Sequence, residues 1–202
     1  MASTTPTSEL EAVNIMLSAI GESPVSSLDD PSLVDVAIAK SVLDETSISI
    51  QTQGLHCNTE IDYPLEATDD GEVLVPSNCV HIDTTGSSSS VDVVQRGSKL
   101  YDREKRSYTK FSGTLYVNMV LLLSYDELPQ HVRRYITVKA ARRFQNRFMG
   151  SETLYGFSQA DEAEAQIEFE RQEASTEDNN ILTGSYDTSK IIIRGAPRRA
   201  VR

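Results

Sequence analysis

Residues 125–150, YDELPQHVRRYITVKAARRFQNRFMG, decide how the rest of the chain is read. They hold six basic side chains (Arg133, Arg134, Lys139, Arg142, Arg143, Arg147) and no acid after Glu127. The whole 202-residue chain carries a formal net charge of -11. A helix this basic inside an acidic chain needs counter-charge from elsewhere in the chain or from another molecule. Its pattern is helical. Pro129 suits a first turn, where its missing N–H costs nothing. Asp126 and Glu127 favour the positive end of the helix dipole, and Gly150 stands where a left-handed C-terminal residue is expected. At 100° per residue, Val132, Tyr135, Ile136 and Val138 lie on one side, opposite Arg133 and Arg134. Further along, Ala140, Ala141, Phe144 and Phe148 form a different side, away from Lys139, Arg142, Arg143 and Arg147. The apolar stripe changes face. Such a helix either packs on its own domain at one end and a neighbour at the other, or touches two elements of one fold.

Downstream, a helix is expected from Ser151 or Ser158 to Ala174. It is dense in acid: Asp161, Glu162, Glu164, Glu168, Glu170 and Glu173 stand against Arg171. Its stripe is thin (Phe157, Ala160, Ala163, Ile167, Ala174), with Phe169 on the other side. Placed antiparallel to the basic helix, its charge is compensated, although exposed pairs contribute only about 0–1 kcal/mol each. Complementarity of this kind selects register. Upstream, Ser8 and Glu11 form a capping-box pattern for a helix over residues 8–20, stopped by Gly21. Asp30 before Pro31 opens a second helix reaching about Gln53, before Gly54. It carries Val34, Ala37, Ile38, Ser41 and Val42 on one side, with Leu33, Val36 and Leu43 off it, a breadth that points to more than one contact surface.

Between these helices the period shortens. Residues 55–63, 73–75, 79–83, 91–96, 99–103 and 115–122 read as strands, rich in β-branched and aromatic side chains. Asp69-Asp70-Gly71 and Gly97-Ser98 are turn signals, the latter closing a hairpin. Residues 86–90, GSSSS, read as an exposed, flexible loop tip. The fold class is α+β: a small helical bundle (1–54 and 125–175) with an inserted antiparallel β domain (55–124). A linker and basic C-terminal arm follow over 176–202. Residues 190–202 carry five positive charges and no acid; without them the remainder falls from -11 to -16. The triplet Ile191-Ile192-Ile193 has nothing local to bury it. It adds a strand to another subunit's sheet edge or folds back on its own β domain.

Y-D-E-L-P followed by R-Y-I-x-x-K-A-A-R-x-F-x-N-R-F-x-G resembles the tail tubular protein A family, the head-to-tail adaptor or connector proteins of short-tailed, autographivirus-type bacteriophages. Further matches lie at Glu11-Ala12-Val13-Asn14, Ile20-Gly21-Glu22-Ser23-Pro24-Val25, Ser27-Leu28, Ala39-Lys40, Val42-Leu43, Ile50-Gln51 and Gly54. The resemblance runs over residues 8–173. It implies a structural virion protein, not an enzyme: a homododecameric ring beneath the portal protein, at the head–tail junction. Tail tubular protein B, the nozzle, would bind its far side, tail fibres would dock near the junction, and viral DNA would pass through the lumen. Assembly would take place in the host cytoplasm. Candidates for the contact between copies are Arg133, Arg134, Arg142, Arg143, Arg147, Phe148 and Phe169. Candidates for a portal-binding arm are Ile191, Ile192, Ile193, Arg194, Arg198 and Arg199; in related adaptors the C-terminal extension reaches toward the portal.

Other classes are less well supplied. A nucleic-acid-binding module would use the basic helix 133–147 and the arm, with affinity falling steeply in salt. The chain's net charge works against it. No P-loop, G-x-G-x-x-G, H-E-x-x-H or G-x-S-x-G occurs, so no cofactor and no catalytic residues are expected. His56, Cys57, Cys79 and His81 are the nearest to a metal set, but His56 and Cys57 point to opposite faces of an extended segment. A four-ligand structural zinc is therefore disfavoured. Glu60 and Asp62 share a strand face, but a glycosidase also needs a sugar cleft between its carboxylates. His131, early in the basic helix, is expected to be solvated or capped. No run of 18 apolar residues spans a membrane, and the opening MASTTPTSEL lacks a signal peptide's basic and apolar regions. Two cysteines form no disulfide framework. At this length roughly 70% of the unfolded surface is buried on folding.

Overall fold

The computed structural model describes residues 5–29, 34–148 and 152–176, with residues 148 and 152–158 as backbone only. Ser8 caps the first helix, α1 (Glu9–Ala19), its Oγ accepting the Glu11 N–H at 3.2 Å. Gly21 ends that helix at φ +86°, a conformation cheap only for glycine. The N–H of Glu22 then reaches back to Leu17 O at 3.0 Å. α1 buries Ala12, Val13, Met16 and Leu17.

The second helix, α2 (Val34–Gln51), buries a face that only partly overlaps the side carrying Val34, Ala37, Ile38, Ser41 and Val42. Val36, Ala39, Val42, Leu43, Thr46, Ser47, Ile50 and Gln51 are buried, whereas Val34 is 66% exposed. The reason lies in its last turns, where the inward side chains are polar but satisfied. Gln51 donates Nε2 to Ser47 Oγ and Leu123 O, and its Oε1 accepts the Leu123 N–H at 2.8 Å. A hydrogen-bonded polar group is cheap to bury, and a search for apolar spacing passes over it. Residues 30–33, with Pro31, lie outside the described residues.

The strand expected from Leu55 begins later, at β1 (Thr59–Glu66), because residues 56–58 form one 3-10 turn first. Asn58 explains the delay. Its Oδ1 accepts the Leu55 N–H at 2.8 Å while Nδ2 donates to Gln51 O and Leu121 O. That side chain ties the end of α2 to the sheet.

β1, β2 (Cys79–Thr84) and β5 (Thr114–Leu121) form an antiparallel sheet in the order β1-β5-β2. β3 (Val93–Arg96) and β4 (Lys99–Asp102) form the hairpin signalled by Gly97-Ser98, with Arg96 opposite Lys99. β1 kinks between Glu60 and Tyr63, where Asp62 has φ +53°. Pro64 sits opposite Tyr116, whose N–H goes to Ser88 Oγ and whose carbonyl accepts from Thr85, both away from β1. Pro64 therefore presents its nitrogen to the open edge of the sheet. Residues 73–75 make only isolated bridges, Ala67 to Val73 and Leu74 to Lys99. Residues 86–90 are exposed as expected except at Ser88: Gly86–Ser88 is a short 3-10 turn, and Ser88 is buried, its Oγ accepting the Tyr116 N–H at 2.9 Å.

After a 3-10 turn at Tyr125–Glu127 come α3 (Gln130–Phe148) and α4 (Glu152–Thr176). The α+β class is as expected, with four helices and two small antiparallel sheets among the described residues. Two hydrophobic clusters organise them. One joins the helices around Met16, Leu43, Ile136 and Phe144; the other lies on the sheet around Val73, Leu100, Val117 and Met119.

Candidate assembly surface

α3 is the middle helix. Its buried face carries Val132, Tyr135, Ile136, Ala140 and Phe144, and two of its arginines turn toward α2. Arg143 donates to Thr46 Oγ1 at 3.2 Å and Arg147 to Glu45 at 3.1 Å. The opposite side meets α4 through His131–Glu173 at 2.8 Å, Arg134–Glu168 at 3.3 Å and the Arg142–Glu162 ion pair. Partner numbers fall as α3 numbers rise, so α4 is antiparallel to α3. The basic helix thus finds its counter-charge inside the chain. On the helical wheel of α3, the positions facing α2 and those facing α4 lie about 140° apart. α2 and α4 therefore flank α3 from opposite sides, and α1 covers a third.

Arg133 is placed unlike the other basic side chains. It is only 9% exposed, and its guanidinium donates to Leu128 O at 2.6 Å, to Thr7 O at 2.9 Å and to Asp126 O. It holds the turn before α3 and the N-terminal segment together. Thr7 is further held by a reciprocal pair with the Gln130 side chain. Beneath them Tyr125 donates to or accepts from Thr137 Oγ1 at 2.7 Å, and burial pushes its phenol pKa up. Lys139 reaches Tyr135 Oη at 3.1 Å.

α4 reverses its expected orientation. Ala165 and Phe169 are its buried apolar residues, and Phe169 stacks on Tyr135 with ring centroids 4.8 Å apart. Ala160, Ala163, Ile167 and Ala174 face solvent instead, Ile167 at 58% exposure. One long aromatic buries more apolar surface than several alanines, and the ion pairs to α3 demand the same rotation. The exposed face borders an open groove of about 740 Å³ lined by Arg134, Ala160, Ala163, Glu164, Ile167, Glu168 and Arg171. A second groove, about 390 Å³, runs between α1, α3 and α4 over Ile15, Ala19, Val138 and Ala141. The end of α4 is pinned to the start of the sheet, since Glu173 Oε2 accepts the His56 N–H at 3.0 Å while Oε1 holds His131. His131 is therefore a paired side chain. α2 also has an outer face, with Val34 66% and Ile48 48% exposed.

Of the candidate contact residues, Arg134, Arg142, Arg143 and Arg147 reach α2 or α4 from α3, while Arg133 and Phe169 lie inside the bundle. The Phe148 side chain and the arm residues Ile191, Ile192, Ile193, Arg194, Arg198 and Arg199 lie outside the described residues. Cys57 packs on the helical cluster and Cys79 in the sheet cluster, and burial raises both thiol pKa values. Cys79 Sγ is hydrogen-bonded to His81 O at 3.2 Å. Among the described residues no three His, Cys, Asp or Glu side chains converge as metal ligands would, and no helix is long and apolar enough to cross a membrane.

An acidic chain whose basic helix is neutralised internally, and whose outer helix faces are apolar, suits a structural part of an assembly; comparison with known proteins makes that assembly a bacteriophage tail. Residues 10–179 match the tail tubular protein family, and the chain belongs to it. It is 27% identical over 194 residues to tail tubular protein A of Klebsiella phage KP34, an alignment covering 95% of this chain and 97% of that relative. The resemblance read from residues 8–173 is thereby borne out.

Proposed function

We propose that this tail protein is a ring-forming adaptor, joining the portal to the tail nozzle and lining part of the channel through which DNA leaves the head. Twelve copies follow from the family resemblance, with tail tubular protein B on the far side and fibres near the junction. The arm over 176–202 extends to the portal. The ring is assembled in the host cytoplasm and resides at the head–tail junction of the virion. The observation that carries this reading over a nucleic-acid-binding module is the internal pairing of the basic helix. Arg134, Arg142 and Arg147 already have carboxylate partners and Arg133 carbonyl partners, so few charges remain for phosphates. The net charge of -11 fits a channel wall that repels DNA and lets it slide.

Native mass spectrometry of the pure chain, with and without its portal, tests the proposal. A closed ring on the portal is the expected result, and a chain that stays monomeric beside the portal refutes it. Truncation after Glu177 tests the arm, because portal capture should then weaken. DNA binding that falls steeply with added salt would favour the nucleic-acid reading instead.

A further inference from the structure

We infer that the ring closes by seating the outer face of α4 in one subunit on the outer face of α2 in the next. This rests on the ring reading above and names the two surfaces it requires. A heterologous ring needs two different patches on opposite flanks of the subunit. α2 and α4 occupy those flanks, one on either side of α3. Each turns its buried residues toward α3 and leaves an apolar stripe uncovered on the far side: Val34, Ala37, Ser41 and Ile48 on α2, and Ala160, Ala163, Ile167 and Ala174 on α4.

The two stripes match position by position. α2 runs antiparallel to α3, with Thr46 at Arg143 and Glu45 at Arg147, and α3 runs antiparallel to α4. α2 and α4 are therefore parallel within one subunit. A twelve-fold rotation turns a helix by at most about 30°, so they remain near-parallel between neighbours. Sliding α4 along α2 in that direction sets Val34 against Ala160, Ala37 against Ala163 and Ser41 against Ile167. Glu45 then meets Arg171, and Ile48 meets Ala174. At three of these four steps a large side chain faces a small one, and at the fourth two alanines meet, which lets the helices approach closely. The one charged position on each stripe pairs with opposite sign. Arg171 is exposed, with no partner among the described residues, and Glu45, 61% exposed on its side chain, has room for a second cation beside Arg147.

Two chains, Ala37→Cys and Ala163→Cys, both carrying Cys57→Ser and keeping only the buried Cys79 besides the new thiol, test the register. Mixed, assembled with the portal and mildly oxidised, they should form a cross-linked pair. Neither alone should, because a disulfide needs Cα atoms about 4.4–6.8 Å apart. A chain carrying both cysteines should give a ladder of linked copies. An intact ring without the 37–163 link overturns this interface and leaves the ring standing. A 163–163 link, or an Ala163→Cys thiol that stays open to maleimide in an intact ring, overturns it as well. Absence of any ring removes the reading on which it rests. Arg171→Glu should weaken assembly about tenfold, and Glu45→Arg in the same chain should restore it. Restoration failing in a folded double variant counts against the register.

Discussion

Replacing Arg133 by methionine separates an internal strut from an assembly contact. The guanidinium makes charge-assisted hydrogen bonds to three main-chain carbonyls, those of Leu128, Thr7 and Asp126. Hydrogen bonds involving a charged partner contribute about 1.5–3 kcal/mol each, and a stranded buried acceptor costs about 1–3 kcal/mol. Water replaces the arginine at the outer two carbonyls, which are part-buried, but not at Leu128, whose residue is 1% exposed. Methionine keeps the apolar stem packed, so the loss is confined to the polar end. The expected destabilisation is about 3 kcal/mol, or about 6–12 °C in Tm for a chain of this size. The comparator is Arg134→Met: its side chain is 53% exposed in its pair with Glu168, and removing it should cost no more than about 1 kcal/mol. Urea unfolding followed by far-ultraviolet circular dichroism, at concentrations where the chain is monomeric, measures both. The reasoning is refuted if Arg133→Met unfolds within about 0.5 kcal/mol of the parent while ring formation on the portal fails. Arg133 would then serve a neighbouring copy.

Asn58→Leu leaves the Leu55 N–H and the Gln51 and Leu121 carbonyls without their partner, and should lower stability by about 3 kcal/mol or more; an unchanged urea midpoint contradicts that. Phe169→Ala removes the ring stacked on Tyr135 and should cost about 3 kcal/mol, with amide exchange accelerating in α4 and not in β5. Equal acceleration in both would mean that α4 is no separate layer. The Asp102 carboxyl is held below the usual carboxylate range: burial pushes it up, but the Lys105 N–H and ammonium outweigh burial. A depressed folded pKa means its stabilisation is present above about pH 4 and lost as pH falls through the lowered value. Asp102→Asn should flatten the acid limb of the urea-midpoint profile; an unaltered limb excludes the role.

Charge was the legible part of this sequence. The alternation of a basic and an acidic helix announced their antiparallel pairing, and Ser8 and Gly97-Ser98 marked a cap and a hairpin that the fold contains. Apolar spacing was a poorer guide. In α2 the inward face is finished by Thr46, bonded to Arg143, and by Ser47 and Gln51, bonded to each other and to Leu123, polar residues that apolar spacing does not register. In α4 the alanines outnumber Phe169, yet the single ring decides which way the helix turns. Arg133 was hidden for a related reason: its guanidinium is held by backbone carbonyls, which no sequence pattern announces, and its acidic neighbour Asp126 at 3.6 Å reads from sequence as a helix-dipole residue. Ser88 is held by one hydrogen bond to Tyr116, 28 residues further along, beyond the window of roughly 11–18 residues in which local patterns inform.

The kink at Asp62 and the proline at position 64 bear on how this tail protein avoids clumping. β1 is the outermost strand of its sheet and carries Ile61 at 72% exposure, an invitation for another molecule to zip alongside. A left-handed residue breaks the straight run, proline removes a donor from the vacant side, and Glu60, Asp62 and Glu66 repel an identical strand. Pairing ribbon to ribbon along this edge is thereby discouraged, and adhesion to other tail components is left to other surfaces.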